Sequence, residues 1–242
     1  MTEREKMDIA AAALKHNGFD PVICVEKAES AVPVILDWIE PDARLEMAGS
    51  VSVGQLGLLD LLRERGNPGL DFPAPGEEDP ARGRRDVLLV SANALTLDGK
   101  IVNIDGMGNR VAAMAYGMRR VILLIGVNKI VADVDEALDR VQHVIAPYHA
   151  KCLGVDTPCA RTETCSDCSS PQRICNVTTI ISRRPPGAQF SIVLAAEDLG
   201  LGWDPAWPAE RIDRIKTAYR VEIDRFRAAL AQAREGKGAP GA

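Results

Sequence analysis

The sequence predicts an α/β protein: a single mainly parallel sheet flanked by helices, carrying a cysteine-rich insertion, in one domain over residues 1–242. Three observations predict it. Short runs that are apolar at every position, Val87-Leu-Leu-Val90 and Val121-Ile-Leu-Leu-Ile125, alternate with helical stretches. Strands buried on both faces belong to parallel sheets covered by helices. Two strand-to-helix junctions carry glycine turns, at Gly49 and at Gly106–Gly108. Five of the six cysteines fall between Cys152 and Cys175, too close together to be scattered core residues.

In chain order, residues 3–17 read as an amphipathic helix stopped by Gly18, since glycine takes the left-handed conformation that closes a helix. Pro21–Val25 is a buried strand by its length and β-branching, and a helix over 28–40 ends at Pro41. Arg44–Met47 is a strand leading into Ala48-Gly49-Ser50, followed by a helix from Val53 to Arg65 closed by Gly66. Residues 67–85, rich in Pro, Gly and charge, read as a surface loop. Its Arg82-Gly-Arg-Arg85 cluster is a solvated stretch beside Glu77, Glu78 and Asp79. Asp86–Ser91 is a strand. Leu95–Asn103 is a hairpin turning at Asp98-Gly99, a pair suited to positive φ. A small-residue helix covers Val111–Tyr116, a strand Val121–Val127 and a helix 134–145. Val177–Ile181 and Phe190–Leu194 are strands either side of Pro185-Pro-Gly187. A helix from Pro208 to Arg234 precedes a frayed tail, Gly236–Ala242.

Composition narrows function. Hydrophobic residues make up 46% and charged residues 26%, which excludes collagen, coiled coil and wholesale disorder. A net charge of -5 leaves no electrostatic footprint for nucleic acid. No apolar run reaches the roughly 20 residues of a bilayer span. The N-terminus lacks the basic-then-apolar order of a signal peptide, so a cytoplasmic setting is expected.

At the first glycine turn, Gly49 lets backbone approach a ligand, while Ser50 and Ser52 can donate to an anion or simply cap the helix. At the second, Asp105-Gly106-Met107-Gly108-Asn109-Arg110 can cradle a phosphate or carboxylate, or can be a tight turn with Arg110 paired to Asp105. The G-x-G-x-x-G pattern is missing from both turns, and neither G-x-S-x-G nor a P-loop occurs.

Cys159, Cys165, Cys168 and Cys175 give the spacing C-x5-C-x2-C-x6-C. Four soft anionic ligands within seventeen residues point to an iron–sulfur cluster, [4Fe–4S] favoured, with structural zinc as the alternative. A redox Cys165–Cys168 pair leaves the nearness of Cys159 and Cys175 unexplained. Cys152 is a spare that can replace a ligand, and Cys24 reads as core. His16, His143 and His149 share no ligand spacing.

Glu46-Met-Ala-Gly-Ser-Val-Ser-Val-Gly-Gln-Leu-Gly-Leu-Leu59 resembles the first signature of the LUD domain, the lactate-utilisation family, and Ser91–Ala113 with Gly126-Val-Asn-Lys-Ile-Val131 resembles the second. The resemblance spans most of residues 1–200 and is to a cysteine-rich subset. It implies the fold shared by glucosamine-phosphate deaminase, ribose-phosphate isomerase and the CoA transferases, whose ligands lie at glycine turns beyond the strand ends. The second block also resembles methylthioribose-phosphate isomerases. There an acidic residue falls on Asn93, and an amide cannot exchange protons as a carboxylate does. Asn93, Asn109, Asn128 and Lys129 stand as hydrogen-bonding groups for a polar ligand. The expectation is a cluster-binding protein beside a pocket for a small anionic or phosphate-bearing ligand, in redox or hydroxy-acid metabolism. Its alternative is a non-redox phosphosugar or CoA-ester enzyme with zinc. A redox partner protein and self-association are the macromolecular partners this reading admits.

Overall fold

The computed structural model describes residues 1–70 and 86–236. Helix α1 (Glu3–His16) starts at Thr2, whose hydroxyl accepts from Glu5 N while the Glu5 carboxylate accepts from Thr2 N, so two orphan donors are satisfied at once. Strand β1 (Val22–Val25) follows, then a 3-10 turn and helix α2 (Ala31–Asp37). Strand β2 (Leu45–Met47) leads to two short helices, α3 (Val51–Gly54) and α4 (Leu58–Glu64). These replace the single helix expected over Val53–Arg65. Gly57, at φ 62, breaks the run, because a left-handed residue cannot continue a right-handed helix.

Strand β3 (Val87–Val90) is followed by the expected hairpin, β4 (Ala94–Thr96) and β5 (Ile101–Asp105), turning at Gly99 with φ 80. Helix α5 (Asn109–Ala115), strand β6 (Arg120–Gly126) and the two-residue strand β7 (Ile130–Val131) come next. Helix α6 (Val134–Arg140) passes through a π-helical turn, Val141–Ile145, into α7 (Ala146–Leu153), so the helix expected over 134–145 runs one element further. Pro147 suggests a stop, yet it falls in the first turn of α7, where a missing N–H is tolerated. Helix α8 (Pro158–Thr162), strands β8 (Val177–Ile181) and β9 (Gln189–Ala195) and the long helix α9 (Ala209–Gly236) complete the fold. The Arg82–Arg85 cluster lies outside the described residues, as does the tail after Gly236.

The main sheet is wholly parallel in the order β1-β9-β6-β3-β2, as the doubly buried runs predict. It is not the single sheet expected. Strands β7-β4-β5-β8 form a second, mixed sheet, because the β4–β5 hairpin pairs β8 along its far edge instead of joining the main sheet. The pleat of β6 divides the core. Val121, Leu123 and Ile125 pack with Met7, Leu14 and Phe190 on the α1 face. Ile122 and Leu124 pack with Ile35, Leu58 and Leu62 beneath α2 and α4. A third core, containing Tyr148, Trp203 and Tyr219, joins α6, α7 and α9 to the second sheet. Each fully buried Leu or Ile contributes about 1.5–3 kcal/mol, so these layers hold the strand ends in place.

Candidate functional site

The carboxyl ends of β2, β3, β6 and β9 open on the same edge of the parallel sheet, where open α/β sheets place their ligands. Lys129 closes the 3-10 turn after β6 and is 5% exposed. Its Nζ donates to Ser52 Oγ (2.9 Å), Ser91 Oγ (2.8 Å) and the Ala92 carbonyl (3.0 Å). All three acceptors are neutral. Burial, and secondarily the positive charge of Arg110, pull the Lys129 ammonium down to about 7.

The loop after β9 is cut to fit over this lysine. Gly200 has φ +65, and a Cβ there would fall 2.5 Å from Ser52 Oγ and 3.0 Å from Lys129 Nζ. Gly200 N donates to Gln55 Oε1 (2.8 Å). Asn128 is wholly buried and holds the same loop from both sides: its Oδ1 accepts from Leu199 N (2.9 Å) and its Nδ2 donates to the Gly202 carbonyl (3.0 Å). Asn128 is therefore a scaffold for the loop. Ser50 leaves its Oγ buried without a hydrogen-bond partner among the described residues and makes no cap bond to α3. Gly49, at φ 64, is exposed.

A second polar net adjoins the first through Ala92-Asn93. Arg110 pairs with Asp105 and donates from Nη2 to Asn93 Oδ1 (2.8 Å) and to the Ile104 carbonyl (3.3 Å). Asp105 Oδ2 accepts from Val111 N (3.1 Å), and Asn93 Oδ1 also accepts from Ile104 N (2.9 Å). Of the two arrangements open at this turn, the structure contains the Asp105–Arg110 ion pair. Asn109 points to solvent, and Gly106 and Gly108 allow the chain to pass close to Ile174 and Val177.

Sequence reasoning singled out neither Tyr219 nor its pairing with His149. The Tyr219 hydroxyl lies 2.6 Å from His149 Nδ1, across 70 residues of chain, and no local spacing signals the pair. Burial first and Arg110 second depress His149 to about 4, so the imidazole is neutral at physiological pH; burial raises Tyr219.

The cysteine segment packs beside this net. Thr157 caps α8 by accepting from Ala160 N (3.3 Å), which places Cys159 in the first turn. Asp167, at φ 45, folds the chain back so that its N–H meets Cys165 Sγ (3.5 Å), and Gln142 Nε2 donates to the same sulfur (3.7 Å). Arg173 donates to the carbonyls of Cys168 (2.6 Å) and Cys175 (3.2 Å). Cys159, Cys165, Cys168 and Cys175 all line one small, largely enclosed cavity with Thr157, Arg173 and Ile174. Burial pushes the Cys175 thiol up against the opposing effect of Arg173, and Cys165 and Cys168 push it further. All six cysteines are free thiols. Cys152 stands apart in the third core, so it is not placed to replace a ligand at this cavity. Cys24 is half-buried against the α1-side core. Among the described residues, no three His, Cys, Asp or Glu side chains gather on one point that could hold a metal ion. What the four cysteines share is a cavity. Also among the described residues, no helix is long and apolar enough to cross a membrane.

An open parallel α/β sheet with a lysine-centred polar site beyond its strand ends, flanked by a cysteine-lined cavity, defines the class. The LUD domain family matches residues 7–195, most of the chain, and the protein belongs to that family. No curated protein matches it. Among solved structures, that of a DUF162 family protein from Deinococcus radiodurans is similar, at 12% identity and a TM-score of 0.47, over 81% of this chain and 99% of that one.

Proposed function

We propose that this LUD-domain protein binds an iron–sulfur cluster, of the [4Fe–4S] type, through Cys159, Cys165, Cys168 and Cys175, beside a pocket for a small anionic ligand, and serves redox or hydroxy-acid metabolism. The observation that carries the reading is the shared cavity. Four half-buried thiols face it, two N–H groups donate to Cys165 Sγ, and Arg173 lies among the thiols. That donor set suits thiolate ligation, since hydrogen bonds to sulfur and a neighbouring cation both favour the anionic form. A tetrahedral zinc draws its four sulfurs to about 2.3 Å from one centre, whereas a cluster spreads its ligands around a larger body. When bound, the cluster supplies one-electron transfer. The chain's own residues orient it and shield it from water, and the last turn of the cysteine segment rests on the Asp105–Gly106 turn. This brings the cavity next to the Arg110–Asn93 net and, through Ala92, to Lys129. Arg110 supplies positive charge for an anionic ligand, and a redox partner protein takes or delivers the electron.

Anaerobic reconstitution with iron and sulfide tests the reading. The expected product is brown, with broad sulfur-to-iron absorption and close to four irons per chain. Colourless protein carrying stoichiometric zinc overturns it and favours the non-redox phosphosugar or CoA-ester reading.

A further inference from the structure

We propose that Ser52 and Lys129, with Ser91 as positioning residue, form an acyl-transfer site in which Ser52 is the nucleophile toward a small ester or thioester. The proposal is independent of the cysteine cavity. Its basis is the geometry at the strand ends. A weak hydroxyl nucleophile needs a base within hydrogen-bond reach and a third group that orients the base. Ser52 Oγ stands 2.9 Å from Lys129 Nζ, while Ser91 Oγ at 2.8 Å and the Ala92 carbonyl at 3.0 Å hold the amine in place.

The surroundings suit a base better than a structural cation. Among the described residues the groups within hydrogen-bond reach of Nζ are two hydroxyls and a carbonyl, with no carboxylate, although burying an ammonium without one is costly. The charged groups of the packed elements are engaged elsewhere. Arg110 of α5 pairs with Asp105, and Arg140 of α6 donates to the Asn128 carbonyl and pairs with Glu136. Glu222 of α9 lies over Gly54 and pairs with Arg225. His149 and Tyr219 bond each other. Both serines can donate as well as accept. A neutral amine therefore also finds its needs met: it gives N–H to the carbonyl and one hydroxyl while its lone pair accepts from the other. The lowered Lys129 value agrees with this. Gly200 packs directly over the pair, where a Cβ would fall 2.5 Å from Ser52 Oγ and 3.0 Å from Lys129 Nζ.

In the reaction, Lys129 takes the Ser52 proton as Oγ attacks the acyl carbon. The tetrahedral intermediate then breaks its bond to the leaving alkoxide or thiolate, which receives that proton from Lys129. Water, deprotonated by Lys129, attacks the acyl-serine and releases the carboxylic acid and free Ser52. No electron is exchanged.

The test is a fluorophosphonate probe on the full chain, with peptide mapping, and p-nitrophenyl acetate hydrolysis alongside. The expected result is one adduct, on Ser52, formed at a rate that rises with pH through a midpoint near 7. Ser52→Ala and Lys129→Arg should each lower both readouts by roughly 10²-fold or more. Lys129→Arg keeps donors and charge but cannot accept a proton, so it decides the matter even where Lys129→Met fails to fold. No adduct on Ser52 of natively melting protein, or undiminished labelling of Lys129→Arg, overturns the proposal.

Discussion

Asn176 donates its backbone N–H to the carbonyl of Asp105 at 2.8 Å, tying the end of the cysteine segment to the residue whose carboxylate holds Arg110. Its side-chain amide adds two bonds, to the Gly106 and Arg173 carbonyls, both at 3.0 Å. One exposed amide thus fastens the cavity wall to the second glycine turn. Asn176→Ala should lower stability by about 1–2 kcal/mol, at about 1 kcal/mol per net hydrogen bond. Hydrogen exchange should quicken in residues 173–177 before it changes in β6. Equal acceleration throughout the chain would refute this local role.

The Asp105–Arg110 pair makes a sharper demand. Asp105 is 7% exposed, and removing its partner leaves a buried carboxylate that, among the described residues, keeps the hydrogen bond from Val111 N in solvent-poor surroundings. Arg110→Ala should therefore melt well below wild type without any ligand, by an amount on the order of 3 kcal/mol. The Asp105→Asn/Arg110→Ala double variant should recover part of that loss, because the unpaired charge is gone. A double variant no more stable than Arg110→Ala alone would refute the explanation.

Much of this architecture is written in local pattern. Val121–Ile125 announces a doubly buried strand, and Asp98-Gly99 announces its turn, since both follow from the chemistry of neighbouring residues. The separate second sheet is not legible in this way. Whether β8 pairs β5 or β9 depends on a register between strands far apart in sequence. The split at Gly57 is a case where leucine periodicity on both sides hides a left-handed residue. At the site, Ser52, Lys129 and the Asp105–Arg110 turn stand out through the glycines and charges beside them. The Tyr219–His149 pair and the orphaned Ser50 hydroxyl do not, because both are products of how α9, α7 and the β-strand ends pack.

His149 offers a pH test away from the lysine. Its value falls from 6.5 unfolded to about 4 folded, so between those limits the unfolded chain binds the extra proton. Wild type should lose stability, relative to His149→Gln, as pH drops from 6.5 to about 4, and the difference should level off below that. Denaturant midpoints at pH 7, 6, 5 and 4.5 measure it. A difference that stays constant across the series would mean that the imidazole is not held neutral.

Lys129 should act in the same sense in a higher window. Its ammonium, at 10.5 in the unfolded chain and about 7 when folded, is deprotonated first in the native state. Between those limits unfolding takes up a proton, so stability rises with pH, with a slope approaching about 1.4 kcal/mol per unit from this one group. Below about pH 7 both states carry the charge and the slope from Lys129 vanishes. Lys129→Met removes the titration together with three hydrogen bonds. It should therefore shift the whole stability curve and also flatten it between pH 7 and 9. The shift alone is what any structural lysine would give. The flattening is specific to an amine that sheds its proton on folding, and urea titrations of both proteins at pH 6.5, 7.5, 8.5 and 9 separate the two. Parallel curves for wild type and variant would show that Lys129 stays an ammonium in the fold, and would withdraw the base from the Ser52 site at the same time.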